Sequence, residues 1–558
     1  MSALSEGNRQ PTNDRSWKKV AKLSSDDRGE KAIRFLTTVF YIILFLFPFL
    51  LATVYASVML FSDWTWLFPE HDKAFYFLPE FTGIFRAFLL CLSAVLISGL
   101  LIRLIWRDRK PENERSLLSK AGSVLIVLIV SVAVKTFLLN LFWEEVFPTN
   151  PYSDFAKTWA RAIGDLSSLD YYSHFPGYIN YSLIERWIAS FTDSDFNAIV
   201  CFCVICNGIT GVFVYLLTDE IFQKRSLAVF ALLLYLINPS GMFYTLTTTP
   251  EHMSIACVTG SVFCICRYRN AERPGVKIIW LIAAGLLGGL GDTVKSFFPV
   301  ILVAVVIVFV LDLLRKKPDR IWLRIGAACL SVLILFCLRT LVVNGITSLS
   351  EKEFEVELDY ADATPHYLGV GLNRQGEGQI HLGEISRLYL QDRTDGIPME
   401  EARENAIRRI KEDWRLHKGE VGSFLLKKTI WGWQDNAIPL RYFNTQLTID
   451  YDSPLEKRVS DFVNGIGPST LQVWYLLSMF FGMVGVIFVL KRRQTGINDL
   501  NFVFSNLMIL GYFCLLLISE SQSRYKCLII PFLSTIDAYA LFSIFDACRS
   551  LLKRKRFS

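Results

Sequence analysis

Placing an ionisable side chain near the centre of a bilayer costs about 2.5 to 3.5 kcal/mol on insertion scales, so charges in or beside apolar runs are the first residues to ask about. In this 558-residue sequence they converge on one face of the apolar segments: Lys135, Asp154, Glu251, His252, Asp292, Lys295, Arg339, Glu520 and Arg524. Asp219, Glu220, Asp312 and Asp546 sit at the opposite ends beside basic clusters, where solvated interface charge is a sufficient reading. Asp537 lies deeper in the last run and has no evident role. Asp154 stands in Pro151-Tyr152-Ser153-Asp154-Phe155, followed by a helical run through Ala156, Trp159, Ala160 and Ile163 and then Tyr171-Tyr172-Ser173-His174-Phe175-Pro176-Gly177-Tyr178. A carboxylate at the start of such a short helix can take a proton from an attacking hydroxyl, with the flanking aromatics as a wall. The competing reading is an N-cap, in which Ser153 or Asp154 only satisfies backbone N–H groups of the helix that follows. The residues alone leave both open.

The elements that must hold these groups are membrane helices. The chain is 52% hydrophobic and 14% aromatic, beyond an ordinary soluble domain, and that excess calls for a lipid solvent. Apolar runs of roughly 18 to 25 residues, each able to cross a hydrocarbon core of about 30 Å, predict an all-α polytopic protein with about twelve spans. They lie near 34–60, 85–106, 121–142, 198–217, 226–243, 251–267, 277–291, 296–314, 321–343, 470–490, 500–519 and 525–547. The first run is too long for the apolar core of a signal peptide, so an uncleaved N-terminus is expected.

Basic clusters give the orientation. Lys18, Lys19 and Lys22, then Arg107-Arg109-Lys110, Lys224-Arg225, Arg267-Arg269-Arg273, Arg315-Lys316-Lys317, Lys491-Arg492-Arg493 and Lys553 to Arg556 all fall on one side of the helix count. Lys and Arg are retained in the cytoplasm, so that side is read as inside and both termini with it. The net charge of +6 is therefore topological, and no nucleic-acid partner is implied. The expected organisation is a cytoplasmic tail 1–33, two helices and a basic loop over 34–120, and a membrane core 121–343 with its first outer loop at 143–197. An outer, mostly helical loop domain 344–469, three C-terminal helices over 470–547 and a basic tail 548–558 complete it. Ala402, Ala406, Ile410 and Trp414 predict a helix over 399–417, lying on the membrane face or packed on the loops. No repeat of fixed period is visible. All 12 cysteines fall in or at the ends of apolar runs, so no disulfide framework follows. Cys201, Cys203 and Cys206 read as small packing residues rather than metal ligands, having only Phe, Val and Ile around them.

The order Tyr-Ser-Asp-Phe, an Ala-rich helix, Asp-Tyr-Tyr-Ser-His-Phe-Pro-Gly-Tyr and a helix carrying Asn207 resembles the first outer loop of GT-C glycosyltransferases. The likeness is to the protein O-mannosyltransferase and aminoarabinose-transferase branch, in its Gram-positive form. Asn238-Pro239-Ser240, Thr249-Pro250-Glu251, Gly291-Asp292-Thr293-Val294-Lys295 and Ser519 to Tyr525 followed by Pro531 extend it over roughly 121–540. His366 to Asn373, Asp413-Trp414, Lys427-Lys428 and Trp431-Gly432-Trp433 resemble the segment before the last helices in the same members. One departure is that Phe155 follows Asp154 where many relatives carry adjacent acids; Asp165 and Asp170 are possible substitutes, and solvated helix-surface charges equally so.

The resemblance implies a sugar donor carried on a polyprenyl monophosphate and used on the outer face of the plasma membrane. Such a donor places its phosphate at the interface and its chain between helices, so it needs cations at the helix ends; Lys295, Arg339 and Arg524 meet that description. Interface snorkelling or pairing with acids is the alternative for each. The expected reaction is an inverting displacement at the anomeric carbon, with Asp154 as base and the leaving phosphate held by Lys295 and Arg524. Glu251, His174, Tyr152, Glu520 and Asp292 are read as orienting substrate. No nucleotide or general acid is demanded, and a divalent metal is possible although no tight carboxylate pair argues for one. The acceptor would be a cell-surface glycan, teichoic acid or other envelope polymer. A flippase or secondary transporter should instead carry midplane charges and short loops on both sides. A polysaccharide polymerase or ligase shares the outer-face geometry, but its loops are usually Arg-rich, whereas this first loop is acid and aromatic.

Overall fold

The computed structural model describes residues 81–105, 117–146, 153–245, 247–315, 321–358, 360–374, 384–433, 465–491, 499–520 and 523–557, with a few isolated positions besides. Among the described residues there is no strand. Helices α1 (Phe81–Ile105) and α2 (Leu117–Val146) precede the loop helices α3 (Ser153–Ala162), α4 (Leu169–Ser173) and α5 (Pro176–Phe191). The core follows as α6 (Phe196–Phe222), α7 (Arg225–Leu236), α8 (Pro239–Tyr244), α9 (Glu251–Asn270), α10 (Pro274–Val294), α11 (Phe298–Arg315) and α12 (Ile321–Phe354). A second helical loop region holds α13 (Tyr360–Gly371), α14 (Glu384–Thr394), α15 (Met399–Leu416) and α16 (Val421–Trp433). The chain closes with α17 (Ile466–Lys491), α18 (Asp499–Ile518), a 3-10 turn Ser523–Ile529 and α19 (Ile530–Phe557).

Seven of these helices are long and apolar enough to cross a membrane, and three shorter apolar ones accompany them over 122–137, 225–236 and 298–314. The count of about twelve is not reached by that measure, for physical reasons. The expected span 34–60 lies almost wholly outside the described residues. The span 226–243 is broken at Asn238-Pro239, where a proline that cannot donate starts a new short helix. α9 is helical throughout, but Glu251, His252, Arg267 and Arg269 in its first and last turns lower its apolar character. Leu125, Ile126 and Ile129 of α2 and Trp322, Leu323 and Leu341 of α12 are exposed, which suits a surface facing lipid tails. The bundle itself packs α9 along α6 and α10, α10 along α12, and α17 along α19.

The two loop regions dock on the same end of this bundle. α3 is amphipathic: Phe155, Trp159 and Ala162 are buried one turn apart, and Trp159 and Ala162 pack with Ala189 of α5 and Ile199 and Cys203 of α6. α5 starts with Pro176 at its first position, where the missing N–H costs nothing. Its Gly177 must be glycine, since a Cβ would come within 2.7 Å of the Val294 carbonyl at the end of α10. The buried Asn180 then fixes the joint. Its Nδ2 donates to Thr293 O at 3.0 Å and to Thr347 Oγ1 at 3.3 Å, and its Oδ1 accepts from Ser350 at 2.7 Å, joining α5 to α10 and α12.

The second loop region is anchored by a buried lysine. Lys428 of α16 donates to the carbonyls of Gly371 and Leu517, tying α13 and α16 to the end of α18, and burial lowers its ammonium to about 7. The helix expected over 399–417 is α15. Its Ala402 and Ala406 pack on Tyr389 of α14, and Trp414 Nε1 donates to Leu372 O at 3.0 Å. It therefore packs on its neighbouring loop helices.

Candidate active site

The carboxylate of Asp154 lies in the first turn of α3, where the sequence leaves a base and an N-cap both open. Its bonds run to phenols: Tyr172 Oη donates to Oδ1 at 2.7 Å and Tyr178 Oη to Oδ2 at 3.4 Å. Among the described residues no helix amide reaches it. Tyr172 stands edge-on to both Tyr171 and Tyr178, and Phe175 packs against Tyr171 and Tyr178, so the Tyr171 to Tyr178 stretch makes one aromatic wall around the acid. Burial first, and then Asp154 itself, raise the Tyr172 phenol, so it stays a donor. The short Tyr172 bond occupies one oxygen. The longer contact leaves the other better placed to take up a proton.

A second group forms where α10 breaks. Asp292 accepts from the N–H groups of Phe297 and Phe298 at 3.0 Å each, stopping α10 and starting α11. Lys295 stands in that break with extended backbone. Its Nζ lies 3.4 Å from Glu251 Oε1 and 4.0 Å from the centre of the Tyr525 ring. Tyr525 Oη in turn donates to Glu520 Oε2 at 2.9 Å. Gly177, next to Tyr178, abuts the Val294 carbonyl next to Lys295, which brings the two groups onto one end of the bundle, and burial and then the charges of Asp154 and Glu520 raise the Tyr171 phenol.

The remaining candidates divide. Arg339 is bound to Asp292 through Nε at 2.6 Å and through Nη2, so its guanidinium is committed to the acid that caps α11. Phe175 packs on His366 of α13 at 4.8 Å, and His174 is the charge neighbour of His366, which burial keeps neutral by lowering it to about 4. Tyr152 lies outside the described residues. Arg524 is in the 3-10 turn that presents Tyr525, and its side chain lies outside the described residues. Asp165 is exposed and accepts from Ser167 N at 3.0 Å, a turn contact that lowers its carboxyl; the Asp170 side chain lies outside the described residues. His252 is held between Asn207 at 3.0 Å and Thr247 O at 2.8 Å, and Lys135 donates to Gly241 O at 3.0 Å, so both serve the packing of the core. Asp537 accepts from Ser478. Among the described residues no disulfide joins the cysteines, and no three His, Cys, Asp or Glu side chains gather as a metal site.

Residues 180–340 match the family described as dolichyl-phosphate-mannose-protein mannosyltransferase. The match supports membership of the GT-C superfamily. It also supports a membrane glycosyltransferase, in keeping with the apolar helices. Asn180, Glu251, Asp292, Lys295 and Arg339 fall inside the matched stretch, while Asp154, Glu520 and Arg524 fall outside it. No curated protein matches the chain. Sequence reasoning named Asn180 nowhere. Its signal, a polar residue in the run Tyr-Ile-Asn-Tyr-Ser, is faint until its partners on two distant helices are seen.

The Arg339 pair yields a test of its own. Removing one partner of a buried ion pair strands the other and costs about 3 to 5 kcal/mol. Arg339→Gln is therefore expected to lower the melting temperature of the detergent-purified protein, and Arg339→Gln with Asp292→Asn to recover part of the loss. A single variant with unchanged melting would show that the pair contributes nothing to the α10 to α11 break.

Proposed function

We propose that the protein transfers a sugar from a polyprenyl-phosphate carrier to a cell-envelope polymer on the extracytoplasmic face of the plasma membrane. The observation that carries this is that a phenol-oriented carboxylate at Asp154 and a lysine at a helix break, Lys295, lie at the end of the bundle where Gly177 abuts the Val294 carbonyl. The family match and the lipid-suited exterior support it. Asp154 takes the acceptor's proton through its less engaged oxygen as the hydroxyl attacks the anomeric carbon from the face opposite the phosphate. The carbon–oxygen bond to the phosphate breaks, and the polyprenyl phosphate leaves with its charge on Lys295 and on Arg524 of the turn that carries Tyr525. The configuration inverts. Glu251 sets the lysine, and Glu520 sets the Tyr525 ring on which the lysine rests. Arg339 serves the site through Asp292 and the helix break.

The test is a gene deletion followed by mass spectrometry of the polyprenyl-phosphate sugars and the envelope polymers. The expected result is an accumulated lipid-linked monosaccharide together with a polymer lacking that sugar. An unchanged lipid pool and unchanged polymers would overturn the proposal.

A further inference from the structure

Arg161 is fully buried in α3, two turns after Asp154. Among the described residues no carboxylate lies within ion-pair distance of it. Its Nη1 donates to Ser182 Oγ at 2.8 Å and its Nη2 to Ser168 Oγ at 3.4 Å, both neutral hydroxyls, and Nε has no partner. The face of the guanidinium lies 4.7 Å from the centre of the Tyr172 ring. Burying an arginine without a paired acid is costly, so the position calls for a reason beyond packing. The nearest acid, Glu185 of α5, is buried as well. Burial pushes its carboxyl above the ordinary value, against the opposing pull of Thr158 and Arg161, and neither of its oxygens bonds the arginine. The other charged or titratable groups facing this pair are Asp165, which is exposed, and Tyr171, Tyr178 and Asp154 around Tyr172. Glu520 acts on the adjoining Tyr171.

We infer that Arg161 is a positioning residue for the base, its buried charge polarising the Tyr172 phenol so that this phenol donates firmly to Oδ1 of Asp154. The inference rests on the reading of Asp154 as the base. A cation on the ring face favours electron withdrawal from the phenol oxygen and strengthens its O–H as a donor. A stronger donor fixes the carboxylate plane, leaving Oδ2 to receive the acceptor's proton. The sign follows from the bond: a hydrogen bond to the carboxylate favours its charged form, so losing the arginine weakens that bond and the acid limb of the rate profile moves up.

The experiment measures transfer against pH in membrane vesicles carrying each variant. The donor is the polyprenyl-phosphate lipid pool isolated from the deletion strain, and the acceptor is that strain's envelope polymer. Arg161→Gln is expected to move the acid limb up by about one pH unit, which slows transfer roughly tenfold at pH values on that limb. Tyr172→Phe should move the limb in the same direction, and the double variant should move it no further than Tyr172→Phe alone. A purely structural role would lower the amount of active protein at every pH and leave the limb in place. An unmoved limb in Arg161→Gln, or full additivity in the double variant, overturns the inference. Should Arg161→Gln fail to accumulate, Tyr172→Phe keeps the ring stack and remains decisive, because an unmoved limb there overturns it equally. Near-normal transfer by Asp154→Asn would instead overturn the reading of the base.

Discussion

Asp154→Asn is expected to fold, to bind the lipid-linked donor and to lose at least a hundredfold in transfer. Asparagine keeps the size of the side chain and can still accept the Tyr172 phenol through its amide oxygen, so the aromatic wall of Tyr171 to Tyr178 is preserved. What it cannot do is take a proton. Loss of a general base costs about 10² to 10⁴ in rate, whereas loss of a helix cap costs on the order of 1 kcal/mol of stability. Rate and melting temperature therefore separate the two roles the sequence leaves open. The carboxylate oxygens bond Tyr172 and Tyr178, and among the described residues no amide of α3 reaches them. An Asn variant that turns over near the parental rate would remove Asp154 from the mechanism and turn attention to Glu251 or Glu520.

The fold was legible where the physics is local. A run of about 20 apolar residues has few alternatives to a helix in lipid, since the backbone must satisfy its own hydrogen bonds, and α1, α6, α10, α12 and the last three long helices follow from that rule. Breaks were less legible. Pro239 divides an apolar run that hydropathy alone treats as one, and Asp292 creates a break by reaching forward to two amides.

The site was legible as a set of residue types and much less as a set of partners. Asp154, Lys295, Glu251 and Glu520 were all named from their place beside apolar runs. The links among them were not. Tyr525 joins Lys295 to Glu520 across more than 200 residues of chain, and Asn180 joins α5 to helices more than 100 residues away. Sequence separation of that size carries no distance information without the fold. For Arg339 the sequence left a phosphate-binding cation and an acid-paired one both open for the same reason, since Asp292 lies 47 positions earlier on another helix. Arg161 went unremarked because an arginine on a short amphipathic helix reads as surface until its burial under Tyr172 is seen.

Lys295→Met is expected to lower transfer by about 10² to 10³, the usual consequence of removing one group that stabilises developing negative charge. The lysine is held on two sides. Glu251 Oε1 lies 3.4 Å from its Nζ and the Tyr525 ring 4.0 Å away, yet the side chain keeps about a fifth of its surface open. An ammonium so placed can turn part of its hydrogen-bonding capacity to a phosphate, having three donors to share. The alternative is that Lys295 exists only to neutralise the buried Glu251. The two accounts part in the double variant. If neutralisation is the whole role, Lys295→Met with Glu251→Gln removes the stranded charge and restores transfer. If the lysine meets the leaving phosphate, the double variant regains melting temperature while transfer stays at least a hundredfold down, because no cation remains where the phosphate departs. Restored transfer in the double variant would assign Lys295 to the packing of α9 against the α10 break and leave Arg524 to hold the phosphate.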